Sequence, residues 1–265
     1  MNMALRLTDC PSIETESSAL EARNLTVSYA GVVRLQDISV AFPRNQVTTI
    51  LGPSGCGKST LLRALNRTLE LIPGARVESG QVLLDQVDIH GPGVSPSWVR
   101  TRIGMLQQRP STFPMSIAEN VVFGAKYHGY ATDRAAVVEH YLELVGLWEE
   151  VRDRLHLPAN SLSGGQKQRL CLARTLAVRP SVLLMDEPCS ALDPRATALI
   201  ERLIERLARD YTIIVVTHNI AQAKRIANHC VFMLEGEILA SGSRQEVLVK
   251  PKHRTVRDFI TGRIG

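Results

Sequence analysis

The sequence predicts an α/β protein: a mostly parallel sheet, an N-terminal antiparallel β part and an inserted α-helical subdomain. Three observations carry this prediction. Apolar runs at 47–51, 182–185 and 213–216 have the pattern of strands covered on both faces. Each run leads into a polar turn and then into helical apolar spacing, the order that builds parallel sheets. Between the first run and the second, the stretch from 117 to about 147 repeats its apolar residues at helical intervals, so helices interrupt the series.

Taken in order, residues 1–20 are polar, lack periodicity and are expected to be a lead-in. A β-rich part is expected over 21–95. It opens with ARNLTVSY and VVRLQDISVAF, the second alternating at Leu35, Ile38, Val40 and Phe42 between Ala30-Gly31 and Pro43. The strand at 47–51, a glycine-rich turn and a helix carrying Leu61, Leu62, Ala64 and Leu65 follow, and 80–89 reads as a hairpin. Gly91, Pro92, Gly93, Ser95 and Pro96 then break the pattern and open a helical subdomain over about 96–175. Two strand-helix units, SVLLMDEP into 197–208 and YTIIVVTHN into 220–227, return over 176–245, and 246–265 is a basic tail. Residues 21–265 are expected to form one domain.

Composition bounds the function classes. The chain has 265 residues, 45% hydrophobic and 22% charged, which fits a folded globular domain and excludes disordered, collagen-like and small disulfide-scaffold classes. No run approaches the roughly 18 apolar residues of a spanning helix, and MNMALRLTDCPSIETESS lacks an apolar signal core, so membrane work is expected from the side. The five cysteines are scattered without a CxxC pair, which points to a reducing compartment, the cytoplasm. The net charge of +5 is concentrated at the end: from 244 to 265 there are six basic and two acidic residues. This reads as a solvated basic tail, and no nucleic-acid partner is expected.

The string GPSGCGKST spans Gly52, Pro53, Ser54, Gly55, Cys56, Gly57, Lys58, Ser59 and Thr60, between a buried strand and a helix. It is the G-x-x-x-x-G-K-[ST] phosphate loop. The glycines let successive N–H groups turn inward onto phosphate oxygens, Lys58 reaches the terminal phosphates, and the Ser59 hydroxyl is a Mg²⁺ ligand. Downstream, Asp186 and Glu187 end an apolar strand: Asp186 is placed to hold Mg²⁺ or its water, and Glu187 to face an attacking water. Cys56 has two open readings. A helix N-terminus and Lys58 would lower its pKa and make it reactive, or it is simply small enough for the loop.

In SLSGGQKQRL, the residues Leu162, Ser163, Gly164, Gly165 and Gln166 have capping-box spacing and two glycines that leave N–H groups uncovered, a second anion site. One phosphate loop does not need it, so it is expected to cap a nucleotide held by another copy.

With LSGGQ in place the chain resembles the ABC-type ATPases, which implies a RecA-like P-loop core and two copies sandwiching two ATP molecules head to tail. The resemblance covers nearly the whole chain. It implies that Tyr29 stacks on adenine, that Gln108 in LQQRP touches Mg²⁺ and water, that Asp193 in SALD communicates across the dimer, and that His218 in VVTHN contacts the γ-phosphate. LNRTLELIPGARVESGQVLLD, RPSTFPMSIAENVVFG, LMDEPCSALDP, THNIAQAKRIA and ITGRIG are most similar to the phosphate-import ATP-binding subunits. That likeness implies two transmembrane permease subunits, an indirect extracytoplasmic solute-binding protein and a peripheral place on the cytoplasmic membrane face. Gln107 replaces the family's usual aromatic residue, and Val87 stands where a glycine is common.

Other readings share parts of this pattern. A DNA-repair or chromosome-organising ATPase carries the same signature but also long coiled-coil insertions, and no heptad tract occurs here. A regulatory nucleotide switch would not need both Glu187 and His218. An importer subunit for another oxyanion or solute stays open, since nothing in a nucleotide subunit touches the cargo.

Overall fold

A computed structural model describes residues 18–130 and 133–263; most of the 1–20 lead-in lies outside them. Strands β1 (Ser18–Tyr29) and β2 (Val32–Pro43) pair antiparallel through a two-residue turn at Ala30 and Gly31, both with left-handed φ (48° and 81°). The other edge of β1 takes β4 (Ala75–Leu84), and β5 (Val87–Asp88) completes a four-stranded antiparallel sheet in the order β2-β1-β4-β5. The turn into β5 is made by Asp85 and Gln86 at φ 47° and 66°, so the left-handed pair expected of a tight hairpin forms here without glycine.

The second sheet contains β3 (Val47–Leu51), β6 (Ile103–Leu106), β7 (Val182–Asp186), β8 (Thr212–Val216), β9 (His229–Leu234) and β10 (Glu237–Ser243). Its order is β10-β9-β3-β8-β7-β6, parallel throughout except for the β9-β10 hairpin. Every residue of β3 and β8 is buried, as their continuous apolar runs require. Residues 103–106, grouped with the helices in the sequence reading, form an edge strand of this sheet, because IGML is too short to show a period.

Helix α1 (Lys58–Leu65) follows the phosphate loop and sends Leu61, Leu62 and Leu65 into a core shared with the antiparallel sheet. Helix α2 (Pro96–Arg102) leads into β6. The helical part consists of α3 (Ile117–Tyr127), α4 (Arg134–Leu144), the short α5 (Trp148–Val151) and α6 (Gly164–Leu176). Their apolar faces meet α7 (Pro194–Leu207) and the opposite face of the parallel sheet in the largest core. On α7 the face Ile200, Leu203, Ile204 and Leu207 is buried at i, i+3, i+4, i+7, worth about 1.5–3 kcal/mol per side chain.

A third core lies under α8 (Ile220–Ile226), β9, a π-type turn over Gln245–Val249 and α9 (Arg254–Ile260). The basic tail is therefore only half solvated. Val247, Leu248, Val256 and Phe259 are buried, with the Phe259 ring 5.0 Å from that of Phe232. Its charged residues stay at the surface, and their number masks the apolar spacing in the sequence.

Candidate active site

The phosphate loop joins β3 to α1. Gly52 sits at φ 147° with the Met233 carbonyl so near that a Cβ would lie 2.1 Å from its oxygen, and at Gly57, φ 105°, a Cβ would lie 2.6 Å from a buried Leu35 methyl. Only glycine fits either position. Helix α1 begins at Gly57 without a side-chain cap, so its first N–H groups are left for a ligand. Lys58 is buried, and its ammonium donates to the carbonyls of Gly52 (2.8 Å) and Pro53 (2.7 Å). A buried cation held by neutral acceptors beside an uncapped helix start suits an anion with several oxygens.

Asp186 ends β7 beside this loop. Burial pushes its carboxyl above the ordinary carboxylate range and Glu187 adds to the rise, while the Ser59 hydroxyl bonded to it, Arg63 and Lys58 pull the other way. A hydroxyl and a carboxylate in contact fit Mg²⁺, which takes few protein ligands and fills its shell from water and phosphate. The described residues contain no three-residue His/Cys/Asp/Glu cluster that would form a cage on its own. Tyr29 closes the other side of the loop, with its hydroxyl 3.4 Å from Thr60 Oγ1.

Glu187 is the centre of a second constellation. Its Oε1 lies 3.0 Å from His218 Nδ1, and its Oε2 accepts from Gln108 Nε2 at 3.1 Å. The same amide is 3.4 Å from Ser190 Oγ. Gln108 follows β6, Glu187 follows β7 and His218 follows β8, so three adjacent parallel strands deliver the three side chains at their carboxyl ends. Glu187 itself has a left-handed backbone, φ 46°, held by its N–H donating to Val216 O at 2.9 Å. Of Gln107 and Gln108, Gln108 is the one joined to Glu187, while Gln107 lines a separate cavity with Arg109, Phe113 and Arg174.

The signature residues lie elsewhere. Ser163 caps α6 in a full capping box with Gln166, and Gln166 Nε2 and Arg169 both bind Glu150 at 2.8 Å. Leu162 is buried beneath them. Gly164 faces open space, whereas a Cβ on Gly165 would come within 3.2 Å of Ala196. Asp193 caps α7 by accepting the Arg195 and Ala196 N–H groups, and it lines one cavity with Ser163, Gly164, Gly165 and Gln166. No phosphate-loop residue, nor Glu187 or His218, lines that cavity. Within one chain the phosphate loop and the signature residues therefore do not share this cavity.

The cysteines at 56, 171, 189 and 230 are free thiols, and Cys10 lies outside the described residues. Cys56 is 5% exposed, with Sγ 3.7 Å from Lys58 Nζ. Burial pushes Cys189, beside Glu187, up to about 11. Ser190 belongs to SALD and Thr217 to VVTHN, but the closeness of Ser190 to Gln108 and of Gln222 and Glu201 to Thr217 has no signal in the sequence, because these residues meet only in the fold.

A fold of this kind with these loops defines a nucleotide-binding component, and the chain belongs to the ABC transporter family, whose model matches residues 35–190. It is similar to "Phosphate import ATP-binding protein PstB" of Thermotoga maritima, 46% identical over 250 residues covering 93% of this chain and 98% of that protein. Among solved structures it is similar to cbiO1 of Clostridium perfringens, part of the ABC transporter complex cbiONQ. The TM-score is 0.77 and the identity 29%, over 94% of this chain and all of the other. A bacterial Atm1-family ABC exporter with ATP bound shares the fold, with TM-score 0.79 and 23% identity, over 98% of this chain and 44% of the exporter.

Proposed function

We propose that this chain is the ATP-hydrolysing subunit of an ABC importer for inorganic phosphate, acting as a head-to-tail dimer. The solute assignment rests on the 46% identity, along nearly its full length, to a phosphate-import ATP-binding protein. Hydrolysis rests on the contact of Glu187 with Gln108 and His218.

ATP is held with its adenine on Tyr29 and its phosphates in the loop 52–60, where Lys58 turns from the loop carbonyls to the terminal phosphates. Mg²⁺, held through Ser59, Asp186 and Gln108, supplies positive charge against the phosphate oxygens when bound. Gln108 and Glu187 orient a water in line with the γ-phosphorus. Glu187 accepts its proton as the new O–P bond forms and the bond to the β-phosphate oxygen breaks, and His218 donates to the γ-phosphate oxygens. Leu162, Ser163, Gly164, Gly165 and Gln166 of a second copy close the site over the γ-phosphate, and Asp193 links the two sites. Closure passes through the helical part to two transmembrane permease subunits, which an extracytoplasmic solute-binding protein supplies. The chain's peripheral place on the cytoplasmic membrane face rests on the likeness to the phosphate-import ATP-binding protein; among the described residues no helix is long and apolar enough to cross a membrane.

The test is uptake of radiolabelled phosphate by cells lacking this protein, complemented with wild type or Glu187→Gln. Wild type should restore uptake and Glu187→Gln should not. The purified variant should still bind ATP and form an ATP-dependent dimer, with hydrolysis reduced by about 10²-fold or more. Normal ATPase without restored uptake would transfer the assignment to another solute.

A further inference from the structure

His218 is 61% exposed, and among the described residues its imidazole makes one polar contact, to Glu187. Its main chain, by contrast, is flanked by a buried polar line. Thr217 is 3% exposed, Gln222 2% and Glu201 7%. The Thr217 N–H donates to Ile50 O on β3 at 3.2 Å, and the Thr217 hydroxyl accepts the Asn219 N–H at 3.0 Å. That hydroxyl donates to Gln222 Oε1 at 2.8 Å, and Gln222 Nε2 donates to Glu201 Oε1 at 3.4 Å. Arg225 closes the line with two 2.7 Å bonds, one to each Glu201 oxygen. Asn219 Oδ1 in turn accepts the Gln222 N–H at 3.0 Å, so the residues on both sides of His218 are tied to the same helix.

The surroundings explain why hydrogen bonds are needed here. A cavity of about 610 Å³ runs beside Thr217, Gln222, Glu201 and Arg225 to Glu187 and His218, so side-chain packing does not clamp the loop on that face. A fully paired buried polar line defines one geometry where apolar filling would tolerate several. We infer that Thr217, Gln222 and Glu201, anchored by Arg225, are positioning residues that set the direction of the His218 imidazole toward Glu187 and the γ-phosphate. This rests on the ATPase reading above.

The experiment uses the full-length chain with Thr217→Val, Thr217→Ser and Glu201→Gln, each also placed in a His218→Ala background. It measures kcat and KM for ATP and the imidazole NMR signals assigned to His218 by their loss in His218→Ala. Thr217→Val should lower kcat on the order of tenfold or more, keep KM within about twofold and shift the His218 signals. Glu201→Gln should shift them in the same sense, and Thr217→Ser should restore both signals and rate. In the His218→Ala background Thr217→Val should cause no further loss. An equal loss in that background, or unchanged His218 signals and kcat in Thr217→Val, would overturn the inference. If wild type hydrolyses ATP and His218→Ala is equally fast, the reading of the active site fails instead, and the ring signals alone then decide whether the line positions His218.

Discussion

Gly52 shows how tightly single residues are constrained at this site. A methyl group there would meet a main-chain oxygen that belongs to the central sheet and has nowhere to go. Gly52→Ala is therefore expected to lose about 1–3 kcal/mol of stability together with binding of a fluorescent ATP analogue. Gly55→Ala, whose Cβ would enter open space at φ 80°, should pay only the backbone cost of about 1 kcal/mol. Denaturant melts and nucleotide titrations of the two variants check the contrast. At this scale much of the site was legible in the sequence. Lys58 and Glu187 lie in motifs whose spacing reflects their chemistry, and His218 is marked by the family resemblance of VVTHN. Glu201 lies in no motif, since on α7 it reads as one more charged residue among its neighbours and acquires a role only when Arg225 and Gln222 arrive from another helix.

Helix α6 carries two duties at one end, and substitution at Ser163 separates them. Ser163→Ala removes the oxygen that accepts the Gln166 N–H and should cost about 1 kcal/mol of helix stability. Ser163→Asp keeps a good cap but sets a negative charge where the partner's γ-phosphate would approach. It should melt like wild type yet lose hydrolysis, while Ser163→Ala loses both; thermal melts beside ATPase assays check this. Element assignment from sequence worked where a continuous apolar run or a helical period could develop, the run in β3 and β8 and the period in α7. It failed at β6, four residues whose strand character comes from its neighbour β7, and in the tail, where exposed Arg and Lys hide the buried Val256 and Phe259.

Two half-buried histidines connect the whole molecule to pH. Burial lowers the pKa of His90, against the α1 carbonyl of Ala64, and of His229, whose Nδ1 has no partner among the described residues and whose neighbour Glu246 only partly opposes the shift. A lowered histidine pKa means that the unfolded chain takes up the proton first. Stability is thus complete above the ordinary value of about 6.5 and is lost as pH falls below it toward the folded value. The melting temperature should fall from about pH 7 to about pH 5.5, and His90→Gln and His229→Gln should each flatten that fall in melts run across the range.

The backbone at Glu187 has a final consequence. A side chain at left-handed φ costs about 1 kcal/mol or more that a glycine there would not. The chain holds its proposed base in a conformation that the fold by itself would not choose. Robustness and turnover therefore pull in opposite directions at this one position: a search among variants for heat resistance alone would drift toward proteins that grip nucleotide and never release its energy.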